Sequence, residues 1–167
     1  MIVEWALVFV FPALMIFAGA CDLFTMTIPN RVSLALVAGF VCLAPFAGFS
    51  WEMFGYHVAL GAGMLAISIL MFARNWIGGG DAKLIAAASL WMGPAHILEY
   101  GFIAALSGGL LTLIILRFRN IPLPAGIATQ TWVLRLHRAS GGVPYGIALS
   151  TAGLMVYPDT PWLKAVV

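Results

Sequence analysis

The sequence predicts an all-α, polytopic membrane protein with about six transmembrane helices. The first observation is that 63% of the 167 residues are hydrophobic, with a mean hydropathy of +1.05. The second is that only 8% are charged, whereas soluble domains carry roughly 25%. The third is a series of apolar runs. Their lengths are close to those of transmembrane helices, which need about 20 residues to cross the hydrocarbon core. This length suits a single domain over residues 1–167. We expect the lipid bilayer as a partner, and the net charge of +2 gives no reason to expect nucleic acid.

Six apolar runs divide the chain into spans. We expect them at about residues 3–23, 32–49, 54–73, 81–92, 100–116 and 143–157. We interpret the first as a retained transmembrane helix and not a signal peptide, because Glu4 is the only charge in residues 1–20. Pro29 breaks the chain between the first two spans, and we expect Pro45 to kink or end the second span. The fourth span is short, so it either continues past Gly93 and Pro94 or begins below the membrane surface.

The longest polar stretch covers residues 117–142. Within it, residues 127–138 mix apolar and basic side chains, among them Trp132, Arg135 and Arg138. This mixture is typical of a short helix that lies in the membrane interface. An ordinary ordered loop is the alternative.

The distribution of charge predicts the orientation. Seven of the eight basic residues fall on one side of the six spans: Arg31, Arg74, Lys83, Arg117, Arg119, Arg135 and Arg138. The other side carries Glu4, Glu52, Glu99, Asp159 and Lys164. Because cytoplasmic loops are enriched in Lys and Arg, we expect the basic side to be cytoplasmic and both termini to be periplasmic, in the inner membrane. Asp22 and Asp81 then both lie at the cytoplasmic side.

Asp22 and Asp81 are the candidate catalytic residues. A carboxylate in or at the edge of a bilayer costs roughly 2.5–3.5 kcal/mol on insertion scales, so such a residue usually serves a function. Two carboxylates held close together share a proton, because both cannot ionise cheaply. The ionised one can take a proton from water while the other polarises a carbonyl. The pair could therefore hydrolyse a peptide without a metal or a covalent intermediate.

Three other interpretations stay open from the residues alone. The two acids could be relay stations in a proton-coupled transporter or channel component. The chain could also be a non-catalytic membrane scaffold of a secretion machine. Asp22 could simply be satisfied by a backbone or Arg partner.

The residues around Asp81 have predicted supporting roles. Three glycines precede it, and we expect Gly80 to adopt φ > 0 so that the chain can leave helical geometry. Gly78 is expected to allow close packing, and Gly79 to be variable. Lys83 lies two residues after Asp81, a helical spacing at which it points away from the acid. It would support the pair indirectly or lie among the lipid headgroups.

We predict no zinc site and no cofactor. The three histidines His57, His96 and His137 stand apart, with no His or Cys nearby at ligand spacing. Cys21 and Cys42 lie in apolar runs and form no CxxC motif. Small buried side chains explain them.

Three stretches together carry a family resemblance. They are Asp22 followed by Ile28-Pro29-Asn30, the run GGGDAKL at 78–84, and the run VPYGIAL at 143–149. In order and spacing they resemble the prepilin peptidases, which are membrane aspartic proteases with a GxGD motif. The likeness is greatest to the short form of the tight-adherence (Flp-type) pili, and presenilin-type proteases are a distant second resemblance.

The resemblance implies a function and a site. It implies cleavage of the leader peptide of type IV-like prepilins on the cytoplasmic side, after a leader-end glycine. Asp22 and Asp81 would be the catalytic pair, supported by Pro29, Asn30 and the glycine run. Larger relatives carry a four-cysteine zinc-binding segment and also N-methylate the product. Because the four cysteines are absent here, we expect peptidase activity without methyltransferase activity.

Overall fold

The computed structural model describes residues 1–124, 126, 129–139 and 141–165. In this part of the chain all regular structure is helical, which confirms the predicted all-α class. The α-helices are α1 (Ile2–Thr25), α2 (Asn30–Leu43), α3 (Trp51–Ala73), α4 (Gly79–Arg119), α5 (Thr131–His137), α6 (Tyr145–Val156) and α7 (Pro161–Lys164). A 3₁₀ turn, Tyr157–Asp159, joins α6 to α7. Three helices, α1, α3 and α4, are long and apolar enough to cross a membrane.

Helix α4 is two helical arms that meet at Gly93. Gly93 has φ 67° and ψ 177°, a backbone conformation that does not occur within an α-helix. Pro94 follows and cannot donate a backbone hydrogen bond, which favours a break there. The arms lie side by side, because Asp81 of the first and Ala104 of the second line the same cavity. The fourth span therefore does not continue past Gly93, and that alternative was wrong.

The second span also ends earlier than predicted. We expected it to reach residue 49, but α2 ends at Leu43 and turns follow through Gly48, which has φ 74°. The end lies just before Pro45, which we expected to kink or end the span, since its missing N–H cannot extend the helical ladder.

The helical segments run between two ends of one bundle. At the basic end, the end of α1 meets the starts of α2, α4 and α6. At the acidic end, an aromatic cluster holds the helices together, and Trp91 is its centre. Trp91 Nε1 donates to the Leu36 carbonyl at 2.9 Å, and its own carbonyl accepts from Trp162 Nε1 at 2.8 Å. Such buried indole N–H groups need partners, so these bonds fix α2, α4 and α7 to one another.

The outward faces of the bundle are apolar. Leu70, Leu98, Leu110 and Leu113 are each more than 60% exposed. In water a surface of this kind would be a large exposed apolar patch. It suits contact with lipid chains, as the predicted polytopic membrane architecture requires.

Candidate active site

Asp22 lies in the last turn of α1 and is buried. Its Oδ2 accepts a hydrogen bond from the backbone N–H of Gly146 at 2.7 Å. Gly146 is in the first turn of α6, where backbone N–H groups have no partner within the helix and favour negative charge. A Cβ at Gly146 would lie 2.8 Å from the same carboxylate oxygen. Glycine therefore gives the carboxylate room to approach the start of α6.

Asp81 lies in the first turn of α4 and is half-buried. The helix begins after Gly78, whose backbone is extended at φ −71° and ψ 150°. A Cβ at Gly78 would lie 2.9 Å from Asp81 Oδ2. The carboxylate thus folds back over the start of its own helix, and Gly78 leaves the space for it.

The two carboxylates face one cavity at the basic end. This cavity, the inter-aspartate cavity, has a volume of about 300 Å³. Its walls are Asp22, Met26, Thr27, Ile28, Gly78, Gly79, Gly80 and Asp81. The fold thus brings the end of α1 and the start of α4 together, although they are far apart in sequence.

Gly80 contributes to this cavity for a different reason from the predicted one. Among the described residues, positive φ occurs at Met26, Gly48, Asn75 and Gly93, and Gly80 is helical. The expectation of φ > 0 at Gly80 was therefore wrong. Instead, a Cβ there would lie 3.1 Å from the Cβ of Ile28. The reversal before α4 takes place earlier, at Asn75, where φ is 59°.

Lys83 connects the two motifs that flank the cavity. Its Nζ donates to Asn30 Oδ1 at 2.8 Å, in an exposed position. Asn30 is the first residue of α2, and Pro29 before it is extended at φ −62° and ψ 137°. The bond ties the start of α2 to the first arm of α4, close to where Ile28 and Gly80 meet.

A second, larger cavity opens beside the first. It has a volume of about 750 Å³ and lies between α3, both arms of α4 and the start of α6. Asp81 and Gly78 line both cavities. Tyr100 and Tyr145 also line the larger one, which we call the side cavity.

Helix α5 supports the end of α1. Trp132 packs edge-on against Phe24 with ring centroids 5.4 Å apart, and the Arg135 guanidinium donates to the Phe24 carbonyl at 3.2 Å. Arg119 holds the following segment by donating to the Leu136 and Gly141 carbonyls. A helix thus occurs in the predicted interfacial stretch. It begins at Thr131, and residues 127 and 128 lie outside the described part.

Sequence reasoning gave no role to two residues of this region. Gly146 occurred in a quoted motif, but a backbone N–H has no signature in the sequence. Tyr100 marked only the start of the fifth predicted span, and its place on the same cavity as Asp81 depends on the turn at Gly93.

The apolar helical bundle defines the class of polytopic all-α membrane proteins, and in this one two acids line a single cavity. The chain belongs to the type IV leader peptidase family, whose family model matches residues 9–113. The match covers both aspartates and most of the second arm of α4. Family membership makes the protein a membrane protease of the aspartic type that processes prepilin leaders. No curated protein and no solved structure matched the chain.

Proposed function

We propose that this protein is an aspartic endopeptidase that cleaves type IV-like prepilins at the end of the leader peptide, with Asp22 and Asp81 as its catalytic pair. The observation that carries the proposal is that both carboxylates line the inter-aspartate cavity. Two acids from different helices meet there, in a chain whose charged residues are few. Such a placement is costly in a membrane and indicates a function.

The chemistry follows from a shared proton. The ionised carboxylate takes a proton from water as the water attacks the scissile carbonyl, and the protonated partner donates to the carbonyl oxygen. The tetrahedral intermediate then collapses as a proton passes to the leaving amide nitrogen. The pair titrates as a unit, so neither aspartate alone is the base or the acid.

The neighbouring residues position the pair. Gly80 and Gly78 leave room for α4 to approach Ile28 and for Asp81 to fold back. The bond from Lys83 to Asn30 holds α2 against α4, with Pro29 setting the direction from which α2 begins. These residues act through the aspartates and are positioning residues.

The proposed location is the inner membrane, with the basic end in the cytoplasm and both termini in the periplasm. The support is the positive-inside rule together with the side on which Arg31, Arg74 and Arg117 lie. The active site then faces the compartment in which prepilins are made. All of residues 1–167 would act as one membrane-embedded domain.

We also propose that the protein cleaves without methylating the new amino terminus. The support is that the sequence contains two cysteines. Cys21 is half-buried in α1 and Cys42 is exposed in α2, so the expectation of two buried cysteines was wrong for Cys42. They cannot supply the four-cysteine zinc-binding segment of the larger relatives. The mass of the cleaved pilin tests this directly, because methylation would add one methyl group.

Substitution of the acids tests the catalytic pair. Asp22→Asn and Asp81→Asn should each abolish cleavage of a co-expressed prepilin, followed as a shift on a gel, because an amide does not titrate. Asp159→Asn, which changes an exposed acid at the opposite end, should cleave like the parent. Full cleavage by Asp22→Asn or Asp81→Asn, at matched membrane levels, would remove that residue from the pair. If the unmutated protein cleaves none of the tested prepilins, the proposed function is wrong, and a proton-relay role becomes the better explanation of the two acids.

A further inference from the structure

A buried tyrosine on the wall of the side cavity has a hydroxyl without a hydrogen-bond partner. Tyr100 is 2% exposed, and its hydroxyl is the one buried side-chain N or O atom without a partner among the described residues. Native proteins pair the large majority of such groups, because leaving one unpaired is costly. An unpaired hydroxyl beside a candidate active site points to a ligand that supplies the missing acceptor.

The position of Tyr100 connects this hydroxyl to the aspartates. Tyr100 and Asp81 line the side cavity together, and Asp81 also lines the inter-aspartate cavity. A second tyrosine in the same cavity, Tyr145, directs its hydroxyl to the Ala104 carbonyl at 3.4 Å. Asn75, which is polar and also lines this cavity, is exposed in the loop before α4. Trp76, whose indole N–H is a donor, also lines the cavity and is exposed. Tyr100 is therefore the buried side-chain donor of this cavity that lacks an acceptor among the described residues.

A peptide undergoing cleavage needs such a donor. The segment around a scissile bond must leave helical geometry so that water and both acids can reach its carbonyl. Its backbone carbonyls then lose their helical partners in apolar surroundings, where an unpaired group is costly. The side cavity is lined mainly by apolar side chains such as Ile85 and Ile97, which offer no donor.

We infer that the Tyr100 hydroxyl donates a hydrogen bond to a backbone carbonyl of the prepilin segment next to the scissile bond. Tyr100 is then a further substrate-contacting residue of this peptidase. The inference rests on the proposed function, because it takes the cleaved segment to lie beside Asp81. The cost of the unpaired hydroxyl in the free protein is offset when substrate binds.

Tyr100→Phe removes only the hydroxyl and keeps the buried ring. In a purified preparation in detergent, its Tm should equal or exceed that of the parent, because no hydrogen bond is lost. Its kcat/KM on a prepilin peptide should fall by roughly tenfold to a hundredfold, since a substrate carbonyl is left unpaired. In an Asp22→Asn background, where the peptide stays intact, Tyr100→Phe should weaken peptide binding by a similar factor.

Tyr157→Phe is the matched control. The Tyr157 hydroxyl is also buried, but it donates to the Leu7 carbonyl at the acidic end of the bundle. Its removal should lower Tm and leave kcat/KM unchanged. The two variants should therefore show opposite patterns. Tyr100→Phe should lose activity and keep its Tm, whereas Tyr157→Phe should lose Tm and keep its activity.

Three outcomes would overturn the inference. One is parental kcat/KM for Tyr100→Phe, and the second is unchanged peptide binding in the Asp22→Asn background. The third is a lowered Tm that accounts for the loss of activity, which would make the hydroxyl structural. Each leaves the proposed function intact as long as the parent cleaves and Asp81→Asn does not. A parent that cleaves no prepilin would instead remove the proposed function.

Discussion

Gly80 lies where the start of α4 comes closest to the segment between α1 and α2. A Cβ at this position would lie 3.1 Å from the Cβ of Ile28 and 3.4 Å from its backbone nitrogen. Ile28 is itself buried, so its backbone cannot easily move away. A Cβ at Gly80 requires Ile28 or the start of α4 to shift by a few tenths of an ångström. We expect a bulkier, β-branched side chain to push Asp81 and its helix further from α1.

We predict that Gly80→Val loses prepilin cleavage with little change in membrane insertion. The added Cβ would meet the buried Ile28, the two methyl groups add further bulk, and overpacking of this kind typically costs about 1–3 kcal/mol. Gly79→Ala should keep substantial activity, since its Cβ would meet the ring of exposed Phe72 at 3.3 Å, which can rotate away. Cleavage by both variants at matched expression is the measurement. Parental cleavage by Gly80→Val would mean that the close approach does not position Asp81.

The sequence could select the candidate residues here, but it could not give the structural reason for each. Asp22 and Asp81 could be selected because a carboxylate in an apolar run is costly. Gly80 could be selected by its place before Asp81, but φ > 0 was the wrong explanation. The true constraint is the distance to Ile28, which exists only after the helices have packed. The bond from Gly146 N–H to Asp22 is likewise a tertiary contact.

At the scale of the elements, the turn at Gly93 lets the two arms of α4 lie side by side. With φ 67° and ψ 177°, Gly93 occupies a backbone region that is essentially restricted to glycine. The His57 ring of α3 fills the space where a Cβ would be. His57 in turn bonds through Nδ1 to the Leu90 carbonyl at 2.6 Å. The turn is thus fixed by both backbone conformation and packing.

Gly93→Ala should therefore destabilise the protein strongly. The backbone strain alone costs on the order of 1–3 kcal/mol, and the contact with the His57 ring adds to it. Gly101→Ala is the control in the second arm, because a Cβ there would meet nothing within 4 Å. Thermal unfolding in one detergent compares the two variants. Equal Tm values would show that α4 can turn without glycine at this position.

Span boundaries were predictable where proline and glycine mark them. The break at Gly93-Pro94 was noticed in the sequence, and the structure decides between a continued span and a turn. Pro45 likewise indicated a kink or an end in the second span, and α2 ends just before it, at Leu43. The predicted span extended to residue 49 because residues 44–49 are apolar. Hydropathy reports transfer into lipid, and it does not report where a ladder of hydrogen bonds stops at Pro45.

At the scale of the whole molecule, charge is divided between the two ends of the bundle. Lys83 and Arg119 lie at the end that holds the aspartates, within the start and the end of α4. Glu52 lies in the first turn of α3, at the opposite end. Because Lys and Arg are enriched on the cytoplasmic side of membrane proteins, this division predicts that the end holding the aspartates faces the cytoplasm.

Reporter fusions should read this orientation directly. Fusions after Glu52 and after Glu99 should be active as periplasmic reporters, and fusions within residues 119–138 as cytoplasmic ones. The reason is that the turn at Gly93 places Glu99 near the acidic end, while α4 returns to the basic end at Arg119. A periplasmic signal from residues 119–138 would reverse the orientation and move the proposed cleavage to the other side of the membrane.

The hydrogen bond between Gly146 and Asp22 can form only late in the synthesis of the chain. Asp22 is made early, yet the N–H that it accepts belongs to a residue 124 positions later. A nascent chain still being translated therefore cannot complete the surroundings of this acid until α6 has left the ribosome and joined the bundle. Under the proposed function, in which Asp22 belongs to the catalytic pair, copies that still lack α6 would not cleave prepilins.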